Sequence, residues 1–436
     1  MSKNLLTTHP VEVSPRDRRK LTTAAALGNF VEWYDYGIYG YFAAVLANLF
    51  FPDSSTALLN TFAIFGVAFL FRPLGALAAG YLGDRYGRKT MLYVLILVIS
   101  VATAAMGLLP TYATLGTGAA ALLVFLRILQ GLSAGGEYSG AASYVAEFAP
   151  DDRRGKSCSW VEMGGLSGFL FGSILATMMS RLITPEVLEG WAWRIPFLLA
   201  LPLGLIGYYI RRKLDESPRY RALEEQGHTA ASPLRETLGS GANLRQLGRF
   251  VGMTVVQFTA YYLFLTYTPT YMIAHLDIRP TTAYTASTIA LAVAIILQPL
   301  MGALSDRVGR KPVMMGSCAA IFVFVLPAYM LMGQAGAVSA VIAQCILMVC
   351  LSGYLGAQSA TLAEVFPTKL RVTGFSLGYS VSAAVFGGSA AYVAELLVTQ
   401  TGNPLAPAFY VMAAAATSFF FFMGLPETAG TSLKDA

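Results

Sequence analysis

Charge is what this chain has least of. Only 12% of its 436 residues are Asp, Glu, Lys or Arg, about half the share of a soluble domain. With 56% hydrophobic residues and a mean hydropathy of +0.58, an ordinary water-soluble globule is excluded. Cysteine is scarce as well. Cys158, Cys318, Cys345 and Cys350 lie in or beside apolar runs, without metal or redox spacing, and read as plain buried thiols. There is no metal-ligand cluster, nucleophile elbow or phosphate loop, so neither an enzyme nor a bound metal or cofactor is expected. Ten-residue alternating segments are missing, which argues against a membrane barrel. The opening "MSKNLLTTHPVEVSPRDRRK" has neither a signal-peptide core nor a cleavage site and reads as a cytoplasmic tail.

What the chain does have is long apolar runs, each sufficient to cross a bilayer as a helix. Lipid admits only helices or closed barrels, so the fold class is an all-α membrane protein. Twelve spans are predicted, over 22–50, 58–82, 89–110, 117–146, 158–181, 194–212, 248–275, 283–304, 312–332, 335–362, 372–399 and 405–425. The domains follow: a tail 1–21, a six-helix bundle 22–212, a linker 213–247, a second bundle 248–425 and a tail 426–436. All but five of the 30 Lys and Arg fall in the tails and alternate loops on one side. The positive-inside rule makes that side cytoplasmic, with both termini there. Orientation thus accounts for the net charge of +6, and no nucleic-acid partner is expected.

Two passages recur. "GYLGDRYGRK" (80–89) returns as "GALSDRVGRK" (302–311), and "EFAPDDRR" (147–154) as "EVFPTKLR" (364–371). Six spans separate each pair, so two six-helix halves repeat in parallel, with a substrate site expected between them near the midplane.

The repeated G-x-x-x-D-R-x-G-R-K loop resembles that of the major facilitator superfamily. Its glycines permit a tight turn, its Asp can meet a helix N-terminus or an Arg, and its cations suit the anionic inner leaflet. Gly80, Asp84, Arg85, Gly87, Arg88 and Lys89 in the first half, and Asp306, Arg307, Gly309 and Arg310 in the second, read as gate and orientation residues. Glu147 and Arg154, with Glu364 and Arg371, read as an inner gate. Within the superfamily, "GNFVEWYDYGIYG", "FLFRPLGALAAGYLGDRYGRK", "RILQGLSAGGEYSGAASYVAEFAP", "WAWRIPF" and "LQPLMGALSDRVGRKP" resemble the metabolite:proton symporters, which include α-ketoglutarate, citrate and shikimate permeases and proline/betaine transporters. The resemblance implies a twelve-helix fold of two pseudosymmetric bundles, alternating access, a proton as coupling ion, a bacterial inner-membrane location and a functional monomer.

Charges inside the membrane cost about 2.5–3.5 kcal/mol or more and need a partner or a role. In the first span Glu32, Asp35, Tyr36 and Tyr39 share one helical face, read as a proton site with tyrosines for hydrogen bonding. Glu137 is a third candidate for the proton. Arg127, with Gln130 beside it, and Arg72 are the mid-span cations. A guanidinium fork suits a substrate carboxylate, while ion pairs with the buried acids are the alternative. Gln257 with Tyr261, and Tyr354 with Gln358, form polar faces on the seventh and tenth spans, which the resemblance places at the cavity. Gly164, Gly168 and Gly172 form a close-packing stripe, and Glu162 at its end is expected to partner the loop arginines.

The reading favoured on sequence is proton-coupled uptake of a small di- or tricarboxylate, because "VFGGSAAYVAELL" resembles the α-ketoglutarate and citrate permeases. The alternative is a zwitterionic osmolyte such as proline or betaine, its ammonium caged by Trp33, Tyr34, Tyr261 and Tyr262. Shikimate or a sugar ranks lower, although "DESPR" and "PET" look like sugar-porter motifs. A non-transporting receptor ranks lowest.

Overall fold

The computed structural model describes residues 15–86, 88–135, 137–212, 241–334, 336–365 and 371–431. Among these the helices group into twelve spans. The first half holds α1 (Pro15–Tyr41, continued by Ala43–Phe50), α2 (Ala57–Tyr86), α3 (Arg88–Met106), α4 (Thr117–Ser133, then Glu137–Phe148), α5 (Arg154–Leu182) and α6 (Arg194–Arg212). The second holds α7 (Gly241–Tyr262, a π-helical turn Leu263–Tyr267, then Thr268–His275), α8 (Pro280–Val308), α9 (Arg310–Met332) and α10 (Ala337–Val365). It closes with α11 (Arg371–Ser382, a π-helical turn Ala383–Gly387, then Gly388–Thr401) and α12 (Ala406–Met423).

Among the described residues, nine helices are long and apolar enough to cross a bilayer alone; a tenth counts if the bent pair Pro185–Ala192 and Arg194–Ile210 is one span. Most boundaries differ from the sequence reading by a few residues, and two extend into stretches read as tail or linker. Helix α1 begins at Pro15, inside the stretch read as tail, and α7 begins at Gly241, inside the stretch read as linker. Polar residues at a helix end lower the hydropathy without breaking the backbone hydrogen bonds. Residues 213–240 lie outside the described residues.

Packing repeats with a period of six helices. The pairs α1/α5, α2/α4, α3/α6, α1/α6 and α3/α4 recur as α7/α11, α8/α10, α9/α12, α7/α12 and α9/α10. The halves meet mainly along α5/α8 and α2/α11, a pair that the same six-helix shift exchanges.

Solvation is inverted relative to a soluble protein. Arg72, Arg127, Arg154 and Arg310 are among the largest fully buried side chains, while Leu70, Leu74, Phe125, Ile296, Val323 and Phe420 are exposed. Such an apolar exterior is stable against lipid and not against water. Close helix contact depends on glycine. A Cβ at Gly131 would run into the Ala68 carbonyl of α2, and one at Gly164 into the Ala26 carbonyl of α1. Gly309 alone connects α8 to α9, at φ +112°, where a side chain is strained.

The halves touch at both ends, so the space between them is closed. At the end bearing the repeated loops, Arg154 Nη1 donates to Glu364 Oε1 at 2.7 Å. At the other end the Tyr284 hydroxyl donates to the Tyr41 carbonyl at 2.8 Å, and Thr270 Oγ1 to the Gly40 carbonyl at 3.2 Å.

Candidate functional site

The acidic stripe of α1 turns into its own bundle. Glu32 Oε1 accepts from Arg72 Nη2 of α2 at 2.7 Å. Asp35 Oδ1 accepts from Thr103 Oγ1 of α3 at 2.6 Å and from Gln130 Nε2 of α4 at 2.7 Å. Arg127 Nη1 stands 3.8 Å from Asp35 Oδ2 and donates to Gln130 Oε1 at 3.0 Å. The Tyr39 hydroxyl donates to the Thr61 carbonyl at 3.0 Å, and its ring lies under the Arg127 guanidinium at 4.5 Å. Tyr36 separates the two cations, 5.7 Å from Arg72 and 5.4 Å from Arg127. All seven of these α1 and Arg or Gln side chains are buried.

Several atoms here lack a hydrogen-bond partner among the described residues: Asp35 Oδ2, the Tyr36 hydroxyl, Nε of Arg127, and Nε and Nη1 of Arg72. An unpartnered buried group of this kind costs about 1–3 kcal/mol, more when charged. A proton or a ligand arriving at these atoms would recover that cost.

Between the halves lies a narrow crevice lined by Trp33, Glu162, Gln257, Phe258, Tyr261 and Tyr379. Trp33 is one residue from Glu32 but on another side of α1, so it leaves the stripe and reaches α7. Its ring meets Tyr261 edge-on at 5.1 Å. Phe258 packs on Tyr379 at 4.8 Å. Gln257 Oε1 and the Tyr261 hydroxyl have no hydrogen-bond partner among the described residues. The Arg72 guanidinium lies 6.0 Å from the Trp33 ring and 5.7 Å from Phe69. One indole therefore adjoins both a crevice of aromatic faces and a cation with spare donors.

Gln358 reaches this region, with Nε2 donating to Glu162 Oε2 at 2.9 Å. Tyr354 does not. Its hydroxyl donates to the Met253 carbonyl at 2.9 Å and its ring packs on Phe422. The expectation that Glu162 partners the loop arginines is corrected: its carboxylate accepts from Tyr138 and Gln358 deep in the protein, because it lies two turns along α5 from Arg154.

The loop motif of the second half seals one end. Asp306 accepts from the backbone N–H groups of Gly155 and Lys156, at 2.7 and 2.9 Å, where α5 begins. A carboxylate there satisfies two orphan donors and the positive end of the helix dipole. Arg310 Nη1 donates to Asp306 at 2.7 Å, Arg307 is exposed, and Glu147 is half-buried. Glu427, beyond α12, caps α9 by accepting from the N–H groups of Arg310 and Lys311 at 2.7 and 3.1 Å. The side chains of Asp84, Arg85, Arg88, Lys89, Glu137 and Arg371, the surroundings of Gly80, and Gly87 as a whole lie outside what the structure describes. Among the described residues, no group of three His, Cys, Asp or Glu side chains is arranged to hold a metal.

Sequence reasoning missed Glu162, Phe258 and Tyr379 as crevice residues, since four helices bring them together. It also missed Glu395 of α11, which accepts from the Tyr267 hydroxyl at 3.0 Å and faces His275 Nε2 at 2.9 Å. A lone Glu in "AYVAELL" was the available signal.

Two pseudosymmetric six-helix bundles with buried ions and an occluded central crevice define a membrane transporter. The model of the "Sugar (and other) transporter" family matches residues 21–240 and 230–436, and the chain belongs to that family of the major facilitator superfamily. It is 36% identical over 429 residues, 96% of this chain and 85% of the other, to the "Glycine betaine/proline/ectoine/pipecolic acid transporter OusA" of Dickeya dadantii. It is 36% identical over 434 residues, with the same coverage, to the "Proline/betaine transporter" of Escherichia coli K12. A "Putative proline/betaine transporter" of Staphylococcus aureus MSSA476 is 37% identical over 434 residues, covering 97% of this chain and 91% of the relative. Among solved structures, the proton:xylose symporter XylE superposes with a TM-score of 0.78 at 18% identity, covering 97% of this chain and 98% of that one; this likeness bears on the fold alone.

Proposed function

We propose that the protein is a proton-coupled symporter that takes up a zwitterionic osmolyte of the betaine and proline class. The observation that carries this reading is the crevice: aromatic faces from Trp33, Phe258, Tyr261 and Tyr379 beside the Glu162 carboxylate, with the Arg72 guanidinium 6.0 Å from the Trp33 ring. Aromatic cages are the usual device for quaternary ammonium groups. The partly unsatisfied Arg72 suits the carboxylate at the other end of the same small molecule. A dicarboxylate, favoured on sequence alone, would set a second anion beside Glu162, and the names of the relatives point the same way.

In this mechanism the substrate carboxylate docks on Arg72 and adds negative charge beside Glu32 and Tyr36. That charge makes a proton on a neighbouring acid more favourable, and we assign it to Asp35, whose Oδ2 lacks a hydrogen-bond partner among the described residues. Proton and substrate then favour each other's binding, and the loaded carrier rocks about α5/α8 and α2/α11. The positive-inside rule puts the end bearing the repeated loops, and both termini, in the cytoplasm of a bacterial cell; the working unit is a monomer. A thermal-shift screen of the purified protein tests the substrate class. Glycine betaine and proline should raise the midpoint while succinate, α-ketoglutarate and xylose leave it unchanged; a shift with the dicarboxylates alone would reverse the assignment.

A further inference from the structure

Glu162 belongs to two structures at once. It lines the crevice, and it is the acceptor at the centre of a bridge between the halves. The Tyr138 hydroxyl of α4 donates to Glu162 Oε2 at 2.8 Å and lies 2.8 Å from Ser359 Oγ of α10. Gln358 Nε2 of α10 reaches both Glu162 Oε2 and the Tyr138 hydroxyl at 2.9 Å. All four side chains are buried. Tyr138 also stacks on the crevice residue Tyr379, with ring centroids 4.6 Å apart.

The depth of this bridge gives it a role. Along α5, Glu162 lies eight residues beyond Arg154, about 12 Å further in. Along α10, Gln358 and Ser359 precede Glu364 by five or six residues. The bridge is therefore a second barrier, stacked on the Arg154–Glu364 seal and directly below the crevice. Opening towards the cytoplasm requires both to part.

We propose that Glu162 makes cytoplasmic opening conditional on a cationic head group in the crevice. A buried carboxylate takes its strongest available partner. With the crevice empty, that partner is the Gln358 amide and Tyr138 hydroxyl, which tie α5 to α10. A ligand ammonium offers a charge in place of neutral donors, draws the carboxylate towards the crevice and leaves only the Tyr138 contacts to α10. An anion without a cationic group docks on Arg72 yet leaves the bridge intact. Selection among substrates then falls on translocation as well as on binding. The proposal rests on the osmolyte reading and adds what turns occupancy into movement.

The test labels Arg153→Cys and Arg307→Cys, both exposed and on opposite halves, in a background without the four native cysteines, and measures the spin–spin distance distribution with and without glycine betaine or succinate. Betaine should raise the long-distance fraction and succinate should not. Glu162→Gln, which keeps an acceptor for Tyr138, should bind betaine about tenfold more weakly and show no rise even at saturation. Gln358→Leu should show the raised fraction before ligand is added and, because ligand and opening are linked, should bind betaine more tightly than the wild type. A full betaine response in Glu162→Gln, or an equal response to succinate in the wild type, overturns the latch and leaves the osmolyte reading intact. Failure of betaine to bind the wild type overturns both.

Discussion

Arg72 holds Glu32 at 2.7 Å through Nη2 and leaves Nε and Nη1 without a hydrogen-bond partner among the described residues. Each unused donor adds to an already high desolvation cost, which a ligand accepting from it would relieve. In the proposed mechanism these spare donors, 6.0 Å from the Trp33 ring that lines the crevice, receive the substrate carboxylate.

Arg72→Lys tests that role. Lysine keeps the charge that faces Glu32 but loses the planar fork. Betaine affinity, read by titration of Trp fluorescence, should fall by tenfold or more, about 1.5–3 kcal/mol for charge-assisted hydrogen bonds. The protein should still purify as a monodisperse species. Unchanged affinity would place the carboxylate elsewhere.

Asp35→Asn separates transport from coupling. The amide oxygen still accepts from Thr103 and Gln130, so the local packing of α1, α3 and α4 survives. Exchange of labelled betaine across proteoliposomes should persist, while accumulation driven by a pH gradient should disappear. Continued accumulation would move the proton site to Glu32 or Glu137.

Tyr261 distinguishes ring from hydroxyl. Its hydroxyl has no hydrogen-bond partner among the described residues, so Tyr261→Phe should bind betaine almost as the wild type does. Tyr261→Leu removes the face opposite Trp33 and should weaken binding by about 0.5–2 kcal/mol. Equal effects of the two substitutions would contradict a cation–π cage.

Glu427 gives a pH prediction outside the membrane. Burial tends to raise its pKa, but hydrogen bonds from the N–H groups of Ala429, Arg310, Lys311 and Thr428 outweigh burial and hold it below the ordinary glutamate value. A depressed pKa stabilises the fold above the unfolded value, about 4.3, and that contribution is lost as pH falls through the folded value. Glu427→Gln should cost about 0.5–2 kcal/mol, as for a lost helix cap, towards the lower end because solvent screens the group. The difference in thermal midpoint between wild type and variant should be full at pH 7 and should narrow as the pH drops below 4.

Much of the fold is legible in the sequence, because lipid turns a global property into a local one. An apolar run must be a helix, and a repeated G-x-x-x-D-R-x-G-R-K loop marks a repeated half. The stripe of Glu32, Asp35, Tyr36 and Tyr39 follows from helical periodicity, and Arg72 and Arg127 stand out as mid-span charges. What periodicity does not contain is direction. The stripe faces α2, α3 and α4, not the space between the halves, and Trp33 beside it makes the connection to α7. Glu162, Phe258 and Tyr379 each look like ordinary residues of long helices; their convergence arises from how α1, α5, α7 and α11 cross. The π-helical turns at Leu263–Tyr267 and Ala383–Gly387 likewise leave no mark in an apolar pattern.

The central claim is tested most directly by uptake of labelled glycine betaine into proteoliposomes with an imposed inward proton gradient. The account predicts accumulation above the external concentration that a protonophore abolishes, that unlabelled proline suppresses and that succinate leaves untouched. Accumulation of labelled succinate with none of betaine, or betaine uptake indifferent to the protonophore, would contradict it.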